Sequence, residues 1–383
     1  MSNNKHKRTK FIKIKEKDGY SFLTHLKHHF TGFEIIDHEK KIVNKNGFIF
    51  FPLIENKGFI KNLTKSINSL IEFEIISMEY EINRRYKYKT LQDALRNKIS
   101  EVFINYIPKS YDIIGDIAIV EFDKELLIDF DFENLKLFKS RVADALKQVN
   151  KNVAIVYEKH SEIKGKFRLR ELTLLSGKNR TETLHKENNC LFKLDLKKTF
   201  FTPRLVFERK RVSESNINED EIIVDMFAGV GPFSIQLARI INVKIYSFDI
   251  NPSAIEYLKE NIEINRLQGE IHPYNLDIRD ILEPSNNLRH ILKHQVDRII
   301  MNLPESSLQY VDVACFLMKK SGGILHNYQF SEKPNSVGKA IINLKNQLKK
   351  ENWTIKEILT SKIVKAYSPK SDLIALDLVI NSL

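Results

Sequence analysis

The feature that most constrains this chain is the rhythm of its C-terminal half. From about residue 193 to the end, short apolar runs alternate with amphipathic ones. "EIIVDMF", "VKIYSFDI", "EIHPYNLD", "VDRIIMNLP" and "GGILHNYQF" read as strands. "GPFSIQLARI", "PSAIEYLKENIEINR", "RHILKHQ" and "LQYVDVACFLMKK" read as the helices between them, and the remainder fits one more helix and two final strands. Parallel strands need crossovers of this kind, so the pattern predicts an α/β, Rossmann-like, doubly wound sheet. Ligands of such sheets sit outside the carboxyl ends of the strands.

Four signals fall at those strand ends: Asp225 followed by Gly229 and Gly231, "FDINP" at 248–252, "LDI" at 276–278, and "MNLP" at 301–304. A dinucleotide loop wants G-x-G-x-x-G, whose helix amides cradle a pyrophosphate. Here Ser234 holds the third position, and Pro232 follows Gly231. Proline donates no N–H, so a loop meant for a charged phosphate has lost a donor. The spacing from Gly231 to Asp249 still suits an acid that binds a ribose. A nucleoside without phosphate that carries a cation fits better, which points to S-adenosylmethionine. Gly229 and Gly231 let backbone approach its methionine part, Asp249 accepts from the ribose hydroxyls, and Asp277 lies near the adenine amine. Asp249 could instead make a turn with Asn251-Pro252, and Asp277 could cap the helix-like "IRDIL".

Upstream the organisation differs. Residues 1–85 read as a small α+β unit, with a hairpin turn at Asn46-Gly47 inside "IVNKNGFIFFPLI". The basic start, "MSNNKHKRTKFIKIKEKDGY", reads as a flexible arm. Residues 86–192 mix helices and strands without regular alternation, as expected for an α+β domain, and residues 193–383 carry the sheet. The formal charge of +12 favours a polyanionic partner such as nucleic acid. Cys190 and Cys315 are the only cysteines, too few for a disulfide framework or a zinc site of their own. With no long apolar run and no signal-peptide core, a cytoplasmic protein without a membrane span is expected.

The target atom is partly readable. Asn302 is followed by Leu303-Pro304-Glu305, with no aromatic to stack a base for exocyclic-amine methylation. A ring nitrogen is a different problem: guanine N1 carries a proton at neutral pH, so a base must remove it while charge builds on O6. "TPRLVFERKRV" offers Glu208 among Arg204, Arg209 and Arg211, and "FRLRE" offers Arg168 and Arg170. An ion-paired helix surface accounts for the same residues.

At these residues the chain resembles the archaeal and eukaryotic tRNA (guanine-37-N1)-methyltransferases. The matching pieces are "IPKSYDIIGDIAIVEF", "FRLRELTLLSG", "TLHKENNCLFKLDLKKTFFTPRLVFER", "VDMFAGVGPFSI", "FDINPSAIEYLKENIEIN" and "IMNLPESS". The resemblance implies three domains, tRNA as partner, and methylation of the guanosine 3′ of the anticodon. It implies Glu208 as general base, Arg168 as the cation at O6, and Asn302, with Pro304 shaping its loop, as the residue that positions guanine. It implies cofactor contacts from Arg209, Asp249, Ile250, Asp277 and Ile278, with Asn302 close to the donor. Arg168 rather than Arg170 follows from ungapped spacing to Glu208. The chain departs from the pattern at Phe200, where many relatives have Tyr, and in the longer run "EPSNNLRHILKHQ". No metal site and no protein partner are expected, so a monomer is the reading. Wyosine-pathway enzymes of the same fold, bifunctional methyltransferase or aminocarboxypropyltransferase, and a catalytically dead RNA-binding relative remain as alternatives.

Overall fold

The computed structural model describes residues 8–383 apart from 30–34, 55–56, 69, 84, 97, 124 and 161–164. Its contacts divide the chain into two compact units, Met1–Lys89 and Thr90–Leu383. No helix of the described residues is long and apolar enough to cross a membrane.

In the first unit, β1 (Arg8–Lys15), β2 (Val43–Lys45), β3 (Phe48–Pro52) and β4 (Phe73–Glu79) form a sheet in the order β2-β3-β1-β4. Helices α1 (Gly19–His29) and α2 (Lys57–Ile67) accompany it. Asn46 and Gly47 both take positive φ, 56° and 75°, which matches the twist of a tight hairpin. The flexible arm expected at the start is corrected here. Its first seven residues lie outside the described residues, but Arg8–Lys15 is a central strand with Phe11, Ile12 and Ile14 fully buried. Lys10, Lys13 and Lys15 are interspersed with those apolar residues, and the consecutive buried pair Phe11-Ile12 breaks the alternation that would have marked a strand.

The second unit opens with a mixed layer. It contains α3 (Leu91–Leu95), β5 (Tyr111–Ile114), β6 (Ile117–Val120), α4 (Leu126–Asp129), α5 (Phe132–Val149), β7 (Ile155–Lys159) and β8 (Leu172–Ser176). The four strands pair in sequence order, with only β6 and β7 parallel. A separate hairpin follows, β9 (Glu182–Glu187) and β10 (Cys190–Asp195), and then helix α6 (Val206–Ser213).

Next come β11 (Ile222–Asp225), α7 (Pro232–Ile240), β12 (Lys244–Asp249), α8 (Pro252–Ile264) and β13 (Glu270–Asn275). They continue into α9 (Asn287–Leu292), β14 (Arg298–Met301), α10 (Val311–Leu317), β15 (Gly323–Glu332), α11 (Ser336–Lys350), β16 (Trp353–Ser368) and β17 (Ser371–Ser382). The seven strands of this sheet lie in the order β13-β12-β11-β14-β15-β17-β16. The first five are parallel, and β17 is antiparallel to both its neighbours. From β11 the chain winds outward first to one side and then, from β14, to the other. This places a switch point between β11 and β14, where the carboxyl ends leave a crevice.

Alternate residues of each strand feed two cores. Ile223, Ile245 and Ile300 join α7, α8 and the mixed layer in one cluster, and Val224, Phe248 and Ile299 join α10 and α11 in the other. The first cluster also holds Ile114, Tyr157, Leu172, Phe192 and Leu194. That shared core makes the mixed layer and the doubly wound sheet one compact unit.

Candidate active site

A cavity opens at the carboxyl ends of β11, β12 and β14. Its wall comprises Arg168, Phe200, Arg209, Gly229, Pro232, Asp249, Ile250, Asp277, Ile278, Asn302, Leu303 and Tyr310, among others. Seven of the predicted site residues therefore meet at the loop-side end of the sheet: Arg168, Arg209, Gly229, Asp249, Ile250, Asp277 and Asn302, with Ile278 as an eighth. Asp225, Gly231, Pro304, Glu208 and Arg170 are not on this wall.

The glycine loop is held from below. Asp249 Oδ2 accepts from the Gly229 N–H at 2.8 Å, and its Oδ1 accepts from the Asn251 N–H at 2.8 Å. Burial raises the Asp249 carboxyl above its ordinary range, and these amides oppose that. Gly229 sits at φ 55°. Gly231 takes φ 85°, and a Cβ there would come within 2.3 Å of Leu258 Cδ1. Gly231 thus lets α7 pack on α8, while Gly229 brings backbone to the cavity.

Asp225 points the other way. It is 1% exposed, and its Oδ2 accepts from the Ser234 hydroxyl at 2.8 Å, which in turn meets Ser247 at 2.8 Å. Its Oδ1 has no partner, and burial pushes the carboxyl up to about 7. Asp225 therefore fastens the start of α7 from behind the loop. Asp277 faces the cavity and also caps the 3-10 turn Ile278–Leu282, with Oδ1 accepting from the Arg279 N–H at 3.1 Å. Asn302 leaves Oδ1 buried without a partner on the cavity wall. A buried polar atom left unmatched in this way suits a ligand donor. Pro304 lies outside the wall, and its carbonyl accepts from the Phe330 N–H at 3.2 Å, which ties the loop to β15.

Helix α6 presents two charges to different places. Arg209 lines the cavity at 2% exposure and makes a fork with Glu187, 2.5 Å to Oε1 and 2.6 Å to Oε2, plus 3.0 Å to the Thr202 carbonyl. Glu208, one residue earlier, turns away by about 100° of helix rotation. Its Oε2 accepts from Arg211 Nε at 3.1 Å, Arg211 Nη2 at 2.9 Å and the Tyr328 hydroxyl at 3.3 Å. Its Oε1 faces the Lys362 ammonium at 2.5 Å. Arg211 also bonds Asp377, which lies 2.8 Å from His326 Nδ1. His326 Nε2 faces Arg298 Nη1 at 2.9 Å. Guanidinium only donates, so Nε2 is the acceptor and the Nδ1–H donates to Asp377. Tyr328, Lys362, Asp377 and His326 come from β15, β16 and β17, and carried no local signal in the sequence.

The two arginines of "FRLRE" part company. Arg168 adopts φ 57°, lines the cavity, donates from Nη2 to Glu305 Oε1 at 3.0 Å and leaves Nε buried without a partner. Arg170 faces Asp112 at 3.8 Å instead. Both lie near Phe200, whose ring centroid is 5.1 Å from the Arg168 guanidinium and 5.8 Å from that of Arg170.

Comparison with known proteins gives this crevice a context. Residues 183–356 match the TRM5/TYW2 methyltransferase domain, and residues 91–181 match the TYW2 N-terminal domain. Over 348 residues the chain is 34% identical to tRNA (guanine(37)-N(1))-methyltransferase Trm5b of Methanocaldococcus jannaschii, covering 91% of this chain and 93% of that relative. The chain belongs to the TRM5/TYW2 methyltransferase family. A solved complex of aTrm5 with tRNALeu superposes with a TM-score of 0.67 at 31% identity, covering 97% of this chain and 99% of that one. The chain is also 34% identical over 260 residues to a tRNA(Phe) (4-demethylwyosine(37)-C(7)) aminocarboxypropyltransferase of M. jannaschii, covering 68% of this chain and 93% of that relative. As a TRM5/TYW2 methyltransferase the chain takes S-adenosyl-L-methionine as donor. The unpartnered Asn302 Oδ1, the Asp249 carboxylate and the Gly229 backbone fit such a group.

Proposed function

We propose that this enzyme methylates N1 of guanosine 37 in tRNA, and that it works as a monomer in the cytoplasm. The observation that carries the reading is the cavity in which Arg168, with an unsatisfied Nε, and Asn302, with an unsatisfied Oδ1, face the same space. When bound, S-adenosylmethionine supplies an electrophilic methyl group. The residues proposed to hold it are Arg209, Gly229, Asp249, Ile250, Asp277, Ile278 and Asn302. Asp225 and Gly231 support that set from behind, by fixing the start of α7.

The chain's own chemistry then concerns guanine. Arg168 donates to O6 as charge builds there, which requires it to exchange Glu305 for the base. Asn302 positions the purine, and Pro304 fixes the loop that carries it. The family resemblance supports Glu208 as the group that takes the N1 proton, which requires its carboxylate, off the cavity wall in this structure, to turn toward the base. Its Oε2 is filled by three donors, so Oε1 is the oxygen for that proton, and Lys362 must give way to it. Aminocarboxypropyl transfer is less well supported. The relative with that activity matches 68% of this chain, against 91% for Trm5b.

Nucleoside analysis of a tRNA transcript after incubation with labelled donor tests the reading. Methyl on guanine N1 at position 37 is expected. Methyl on N2, an aminocarboxypropyl product, or no transfer would refute it. Glu208→Gln should lower the single-turnover rate about 10²-fold or more while donor binding stays near wild type. A near-wild-type rate would make Glu208 a structural ion-pair residue.

A further inference from the structure

Helix α6 brings Glu208 against the edge of the large sheet where β15, β17 and β16 lie side by side. The Glu208 side chain is 4% exposed, and its two oxygens have different kinds of neighbour. Oε2 is held by fixed groups. Arg211 reaches it through Nε at 3.1 Å and Nη2 at 2.9 Å, and the fully buried Tyr328 reaches it through its hydroxyl at 3.3 Å. Arg211 is itself anchored to Asp377, which the His326 Nδ1–H holds at 2.8 Å. Burial works against the Asp377 carboxylate, but His326 and Arg211 hold it well below its ordinary range, so the anchor stays charged. Oε1 is different. Among the described residues it is paired only with the Lys362 ammonium, at 2.5 Å. Lys362 comes from β16, the last strand of the sheet, and its side chain is 41% exposed. It has no other ion pair among the described residues, and its flexible stem lets it swing into water.

The charges of this cluster balance at rest. Glu208 and Asp377 face Arg211 and Lys362, while His326 is neutral, because burial lowers it and its Nε2 accepts from Arg298. Withdrawing Lys362 leaves one negative charge in excess, and a proton on Oε1 restores the balance. The ammonium and the proton are therefore alternative occupants of one oxygen. We propose that Lys362 is a positioning residue that competes with the guanine N1 proton for Oε1 of the general base, so that its release sets how much of the enzyme has a base available. This rests on the reading of Glu208 above. In the step itself the N1–H bond breaks and an Oε1–H bond forms, and the electron pair left on N1 makes the new bond to methyl. Lys362 withdraws as an ammonium with all its protons.

Mass action links two observables. Only enzyme with Oε1 bare is active, and both the ammonium and a proton from water remove it. If Lys362 reduces the bare fraction by some factor, the plateau rate falls by that factor. The acid limb of the pH–rate profile also moves down by the logarithm of the same factor, because a proton must then displace the ammonium. Single-turnover methyl transfer is measured across pH at saturating tRNA and donor. Lys362→Met should raise the plateau about three- to tenfold, the range for a half-exposed cation on a buried carboxylate. Its acid limb should move up by about 0.5 to 1 pH unit, the logarithm of that ratio, and its rate should meet that of the wild type at the acid end. Lys362→Gln should do the same, and melting temperatures taken alongside show that both variants are folded. A lower rate at every pH, or a raised plateau without the matching movement of the limb, overturns the proposal. Glu208→Gln is run in parallel. If it keeps the wild-type rate, the general-base reading fails; if it is slow while Lys362→Met is unchanged, only the role of Lys362 fails.

Discussion

Replacing Glu187 by alanine should strand a positive charge inside the protein. The Arg209 side chain is 2% exposed and the Glu187 side chain 3%, and two of the guanidinium's donors end on that carboxylate. Burial works against the charged carboxylate, but His185 and Arg209 hold it below its ordinary range. Alanine leaves Arg209 with the Thr202 carbonyl and the face of Phe201, neither of which neutralises it. Breaking one side of a buried pair costs about 3–5 kcal/mol. For a unit of this size each kcal/mol moves the melting temperature by about 2–4 °C, so a fall of roughly 10 °C is expected. Glutamine should not rescue it, because its amide turns a donor toward a donor. The paired replacement Glu187→Leu with Arg209→Met removes both charges and should recover most of the stability. It should not recover donor affinity, because Arg209 lines the cavity. Differential scanning calorimetry measures the first effect and isothermal titration with S-adenosylmethionine the second. A drop under 2 °C for Glu187→Ala, or a double variant no more stable than the single one, would show that Arg209 is not sealed from water.

Asp225 makes a second prediction with a defined sign. Its folded-state pKa of about 7 lies above the ordinary value, so the folded protein binds more protons than the unfolded one between about pH 4 and 7, and stability is lost as pH rises through that window. Asp225→Asn should therefore raise the melting temperature relative to wild type more at pH 8 than at pH 5, and an equal shift at both would refute the assignment. The glycines separate by neighbour. Gly231→Ala meets both a strained φ and Leu258 at 2.3 Å, whereas Gly47→Ala, at φ 75°, meets nothing within 4 Å. Chemical denaturation should show a loss of about 1 kcal/mol at Gly47 and clearly more at Gly231, and equal losses would mean that Leu258 yields freely.

What the sequence disclosed depended on how local each signal was. The alternation that made the doubly wound sheet, the Asn46-Gly47 turn and the glycine loop are all written within a few residues, and each appears where the pattern put it. Strand β1 was obscured because its basic residues are interspersed without a clean alternation, Phe11 and Ile12 being buried in succession, and made eight residues look like a tail. Asp225 and Asp249 illustrate a subtler limit. Both end adjacent parallel strands and both look like ligands to the crevice. Yet Asp225 is turned to Ser234 beneath the loop, while Asp249 takes the Gly229 amide and lines the cavity. In the parallel register Asp225 pairs with Ser247, two residues short of Asp249, so the two acids share a face of the sheet and their height along the strands decides which meets ligand, which spacing from a glycine does not record. The same holds for Glu208 and Arg209, adjacent on α6. The residues that fill the oxygens of Glu208, namely Lys362 and Tyr328 besides the nearby Arg211, sit more than a hundred positions away on strands with no motif of their own. Long-range pairing of this kind is created by sheet order, with β15, β17 and β16 laid side by side at one edge. Arg168 and Arg170 show the opposite case, in which one intervening residue and a positive φ send two like side chains to different tasks. Both lie near Phe200, yet Arg168 lines the cavity while Arg170 faces Asp112.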